Sequence, residues 1–102
     1  MLLGSAQPAA ATVAAVYTVP ASRRAVINVN CCNIGDAPAK VRLALSADAA
    51  PQAAQWIEWD VTLDPSAVLE RTGIALGAGQ KLFAYSDSGQ VTVNVWGVEE
   101  LA

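Results

Sequence analysis

The stretch Arg24–Ser46, RAVINVNCCNIGDAPAKVRLALS, constrains the fold more than any other part of the chain. Its first run, Arg24–Asn33, sets Ile27, Val29 and Cys31 on one side and Val26, Asn28, Asn30 and Cys32 on the other. Its second, Ala39–Ser46, sets Val41, Leu43 and Leu45 against Lys40, Arg42 and Ala44. A period of two is the signature of a half-buried strand. Between the runs, Asn33-Ile34-Gly35-Asp36-Ala37-Pro38 is turn chemistry: Asn and Gly tolerate positive φ, Asp bonds its own backbone, and Pro cannot donate to a ladder.

The same reading places strands over Thr12–Val19, Gln55–Leu63, Val68–Thr72, Gln80–Ser86 and Gln90–Val98. In the Gln55–Leu63 strand, strict alternation puts Ile57, Trp59, Val61 and Leu63 on one face and Trp56, Glu58, Asp60 and Thr62 on the other. In the last strand Val91, Val93 and Val95 face inward and Thr92, Asn94 and Trp96 outward. Pro20-Ala21-Ser22, Asp64-Pro65-Ser66-Ala67 and Asp87-Ser88-Gly89 punctuate the runs, the second with Pro where a type I turn favours it. Gly73–Gly79 reads as a crossover and Ala47–Gln55 as the longest loop. Short strands with turns every 8–12 residues and no helical period predict an antiparallel β-sandwich of about seven to eight strands, Greek-key or jelly-roll-like. Residues 1–10 read as an extended N-terminal arm and residues 11–102 as one domain. Leu2 and Leu3 form an apolar tip suited to docking on a partner.

Only 15% of the residues are charged while 54% are apolar. So little charge covers a small domain poorly, which predicts burial of part of its surface against other protein. With a net charge of −3 and no basic stripe, the chain lacks the electrostatic footprint of direct nucleic-acid binding. No apolar run reaches the length of a membrane span. MLLGSAQPAAATVAAV has no Lys or Arg ahead of its apolar part and is interrupted by Gln7-Pro8, so it reads as mature protein rather than a leader.

Candidate chemistry is sparse. There is no His, and the only two cysteines, Cys31 and Cys32, are adjacent. In a strand they point to opposite faces. They read as two small apolar thiols, or as the source of an inter-subunit disulfide through whichever one faces outward. No zinc-ligand spacing exists, so no metal and no cofactor is expected. Glu58 and Asp60 lie two apart on one strand face, but nothing accompanies them that would make an acid–base pair. Arg23 and Arg24 read as solvated charges guarding a strand end. The glycines of Gly73–Gly79 lack the context of a phosphate-binding loop. An enzyme is therefore not expected. Aromatic anchors are the remaining signal: Trp56 and Trp96 as partner-binding residues beside Leu2 and Leu3, or Trp56, Tyr85 and Trp96 together as a carbohydrate- or receptor-binding surface beside Glu58 or Asp60.

Two phrases, YTVPASRRAVINVNCCNIGDAPAKVRLALS and IALGAGQKLFAYSDSGQVTVNVWGVEE, with the Trp- and acid-bearing strand between them, resemble a group of small structural proteins of tailed bacteriophages. The shared features are a TVP turn (Thr18–Pro20) before a strand that ends in an Asn-containing loop, a Leu-x-Ala-Gly-x motif (Leu76–Gln80) leading into an aromatic strand, and a closing Val-x-Val-x-Gly-Val-Glu strand (Val93–Glu99). They span roughly residues 16 to 100. The resemblance implies a β-sandwich mounted on the virion, assembled in the host cytoplasm as a trimer or ring. Such a subunit would decorate or cement the head beside the major capsid protein, or serve as a tail, neck or baseplate accessory. The Cys31-Cys32 pair lies outside the shared pattern.

Overall fold

The computed structural model describes residues 1–102 and contains eight strands: β1 (Leu2–Ala6), β2 (Ala14–Thr18), β3 (Arg23–Asn33), β4 (Ala39–Ser46), β5 (Trp56–Leu63), β6 (Val68–Leu76), β7 (Lys81–Ser86) and β8 (Val91–Leu101). A single 3₁₀ turn, Ala53–Gln55, precedes β5. The strands form two four-stranded sheets, ordered β1-β8-β3-β6 and β2-β7-β4-β5. Every pairing is antiparallel. The first strand pairs with the last, the second with the seventh, the third with the sixth and the fourth with the fifth. The chain is thus one long hairpin rolled into two layers, the jelly-roll order of a β-sandwich.

The core lies between the layers. Ile27 and Val29 of β3 and Val93 and Val95 of β8 meet Val41 and Leu43 of β4 and Leu82 of β7, all at most 1% exposed. The β3 alternation is followed without a slip, from buried Ala25 to buried Asn33. Each flank of the sandwich carries a polar link between the layers. Arg71 of β6 bridges Glu58 of β5 at 3.0 Å. On the other flank the Tyr17 hydroxyl of β2 donates to Glu99 of β8 at 2.9 Å. Burial, reinforced by that hydrogen bond and the Glu99 charge, pushes the Tyr17 phenol up to about 12.

Several boundaries differ from the expectation. The N-terminal segment is extended, but it lies within the domain as β1, an edge strand on β8. Leu3 packs against the core while Leu2 stays 67% exposed beside Trp96. The Met1 carbonyl accepts the Gly97 N–H at 2.9 Å, so pairing continues to the first residue. β6 does not stop at Thr72: it passes through a bulge opposite Asn28, with Gly73 at φ +69° and its N–H bonded to the Asn28 Oδ1 at 3.1 Å, and runs on to Leu76. β8 absorbs the expected acidic tail as far as Leu101, paired to Arg23. Asn33 does not work by positive φ; it is buried, and its side chain holds the loop together. Ser66 sits at φ +69°, which excludes the type I turn expected after Asp64-Pro65 and suits type II.

Candidate functional site

The site begins with a slip in β5. Val41 pairs with Val61 and Leu43 with Glu58, so β4 advances by two residues while β5 advances by three. Trp59 and Asp60 therefore both lie opposite Arg42. Asp60 takes φ +52°, a left-handed conformation that Asp accepts more readily than most residues. This slip, with a second one where Ala44 pairs with Trp56 next to the Leu43–Glu58 pair, overturns the strict alternation. Trp59, expected in the core, is 56% exposed on the outer face of the β2-β7-β4-β5 sheet. Glu58, expected beside Asp60, turns between the layers to meet Arg71. The two carboxylates thus have separate partners and form no acid pair.

On that outer face Arg42 is sandwiched. Its guanidinium carbon lies 3.7 Å from the Trp59 ring centroid and 4.4 Å from that of Tyr85, which pairs with Arg42 across β4 and β7. Asp60 accepts from Arg42 Nε at 2.6 Å and from a terminal nitrogen at 3.3 Å. That hydrogen bond holds the Asp60 carboxyl below its usual range, against an opposing effect of burial, and raises the already high Arg42 value. Trp56 stands nearly perpendicular to Trp59, with centroids 5.4 Å apart and planes at 76°. The two rings and Ala53 line an open-sided pocket of about 450 Å³. Ala53 is held by its own loop, in which the Gln52 N–H donates to the Gln55 side chain at 2.7 Å.

The other sequence candidates fall elsewhere. Trp96 belongs to β8 in the opposite sheet, so the expected trio of Trp56, Tyr85 and Trp96 does not share a surface. Trp56 and Tyr85 do share one, with Trp59 and Arg42 in place of Trp96. Trp96 instead adjoins Leu2. Cys31 is buried and Cys32 half-buried on the opposite face of β3, and both are free thiols. Burial, with the nearby Glu58 charge adding to it, pushes the Cys31 thiol up to about 12. Arg24 pairs with Glu100 on the neighbouring strand at 3.0 Å, both exposed. No three His, Cys, Asp or Glu side chains converge as a metal-binding group. The residues that sequence reasoning missed are Trp59 and Arg42. The available signal was an Asp, a residue tolerant of positive φ, directly after a Trp in a strand whose alternation otherwise looked clean.

A second surface lies on the outer face of β1-β8-β3-β6. Val26 and Val98 are direct neighbours across β3 and β8, 44% and 59% exposed. Ala75 flanks Val26 on β6. In the adjoining row Trp96 pairs with exposed Leu2. These five residues make an apolar patch that crosses all four strands of the sheet.

No protein-family model, curated protein or solved structure matches the chain.

Proposed function

We propose that the chain is a non-enzymatic structural subunit of a tailed-phage particle, decorating or cementing the head. The observation that carries this reading is the apolar patch of Leu2, Val26, Ala75, Trp96 and Val98. Water-exposed apolar area of this kind, bordered by Arg24 and Glu100 that pair with each other, favours burial against protein. Further support comes from the resemblance over residues 16 to 100. The jelly-roll order also supports it by analogy, since capsid and lectin domains share that architecture. In this reading the rigid sandwich sets its patch on a copy of itself or on the major capsid protein. Each contact is modest, and repetition around a symmetric shell gives the avidity.

The test is particle association. Immunogold labelling and mass spectrometry of purified virions from a phage encoding the chain should find it in regular copy number on the head. Val98→Glu with Val26→Glu should leave the isolated domain folded and abolish its incorporation. Absence from the particles would refute the reading. Labelling confined to the tail, neck or baseplate would refute the capsid placement and favour an accessory role there.

A further inference from the structure

The corner formed by Trp56, Trp59 and Ala53 has no part in the particle contact just described, because it lies on the opposite sheet. Three features set it apart from an ordinary strand face. First, Trp59 is an exposed aromatic held still: Arg42 stacks on its ring, Tyr85 stacks on the far side of Arg42, and Asp60 fixes the guanidinium at two points. Second, this arrangement rests on a residue at positive φ, Asp60, and backbone strain of that kind concentrates where a side chain must be aimed. Third, the apolar walls meet at 76° and are bordered directly by a charged pair with unused capacity. Arg42 spends two of its five donors on Asp60, and the Asp60 carboxylate retains acceptor sites.

We propose that this corner binds a pyranose ring of a surface glycan. A pyranose presents a flat face of C–H bonds and a rim of hydroxyls. The C–H face matches an indole wall, and the hydroxyls match the carboxylate and guanidinium beside it. A protein segment matches less well. The pocket is lined by three residues only, far from the roughly 800 Å² per partner of a stable protein interface. An apolar partner there would also have to strip water from Arg42 and Asp60, which a hydroxyl-bearing ligand compensates with hydrogen bonds. Because the walls are already locked in place, binding orders little and its entropic cost is small. The corner can hold a sugar whether or not the chain belongs to a virion. If it does, docking through the patch leaves this corner facing away from the shell.

The experiment is a printed array of bacterial O-chain, capsular and peptidoglycan saccharides together with plant and animal oligosaccharides, probed with the full-length chain. At least one glycan class should bind. Trp59→Ala and Trp56→Ala should each weaken that binding at least tenfold, Arg42→Lys should weaken it less, and Trp96→Ala should leave it unchanged. Circular dichroism and thermal melting should show all four variants folded; if Trp59→Ala is not, Trp59→Leu replaces it. Absence of binding across the array overturns the proposal, as does binding that Trp59→Ala leaves intact or that Trp96→Ala abolishes equally. A light-scattering mass that falls on Trp59→Ala overturns it as well and assigns the corner to a contact between copies.

Discussion

Replacing Asn33 tests how the two layers are joined. Asn33 ends β3 where the chain leaves one sheet for the other, and it is 1% exposed. Its Nδ2 donates to the carbonyls of Ala37 and Leu63, both at 2.9 Å, and its Oδ1 accepts the Gly35 N–H at 2.9 Å. One side chain therefore ties the β3–β4 crossover to the end of β5. At about 1 kcal/mol net for each hydrogen bond, Asn33→Ala should cost about 3 kcal/mol. Asn33→Asp keeps the shape and the Gly35 bond but turns a carboxylate oxygen toward two carbonyls. A buried charge without a partner costs about 3–5 kcal/mol, so this variant should be at least as damaged at pH 7. The introduced carboxyl would have a folded-state pKa above its unfolded value, so the native state binds its proton more tightly. The deficit is then fully expressed above the folded-state pKa and shrinks as pH falls through it. Urea unfolding followed by circular dichroism at pH 7 and pH 4.5 separates the variants: Asn33→Asp should recover stability relative to wild type at the lower pH, and Asn33→Ala should not. A domain stable by roughly 5–15 kcal/mol leaves room to measure both. If Asn33→Asp stays within about 1 kcal/mol of wild type at pH 7, the amide is not the double donor described and the reasoning fails.

Other outcomes follow from single contacts. Gly97 sits at φ +154°, and a Cβ there would overlap the Val26 carbonyl oxygen, so Gly97→Ala should lose more than about 4 kcal/mol or fail to fold, as read by chemical denaturation. In the Arg71–Glu58 bridge the Arg71 side chain is 46% exposed and that of Glu58 19%, so a double-mutant cycle with Arg71→Ala and Glu58→Gln should return a coupling of about 1 kcal/mol. With the Cys31 thiol buried and pushed up to about 12, a thiol reagent at pH 8 should label Cys32 in the native protein and reach Cys31 only after unfolding. Because the Arg42 hydrogen bond depresses the Asp60 carboxyl, its contribution is present above the unfolded pKa near about 4 and lost as pH falls through the lower folded value; the Trp59 fluorescence environment should change only in that acid range.

Much of the fold is legible because two facing layers impose a strict period on any strand that does not slip. β3 and β8 obey it over their central residues, and their burial follows the sequence position by position. β1 was not legible as a strand. Leu-Leu-Gly-Ser-Ala has no alternation, Leu3 falls at an irregularity, and the partner strand lies at the far end of the chain. Gly4 explains why the segment fits: a Cβ there would crowd the Val16 backbone of β2, so the flank closes tightly only on a glycine. Sheet order was equally hidden, since a strand's own pattern states which side is apolar but not which neighbour it pairs with.

The candidate glycan site was hidden for a more specific reason. A bulge inserts one residue and inverts the inside-outside assignment of everything beyond it. In β5 there are two irregularities, one between Trp56 and Glu58 and one between Glu58 and Val61; the second restores the face assignment that the first inverts, so the strand reads from the sequence as one unbroken alternation. Reading straight through puts Trp59 in the core and leaves Arg42 as a solvated charge. Counting both extra residues brings Trp59, Asp60, Arg42 and Tyr85 onto one face and sends Glu58 to Arg71. The exposed aromatic corner and the cross-layer bridge are thus two consequences of one doubly bulged register. In an unbroken register the same residues would place Trp59 inside and Glu58 outside, so the bulged register, more than any single side chain, is what a ligand at this face depends on.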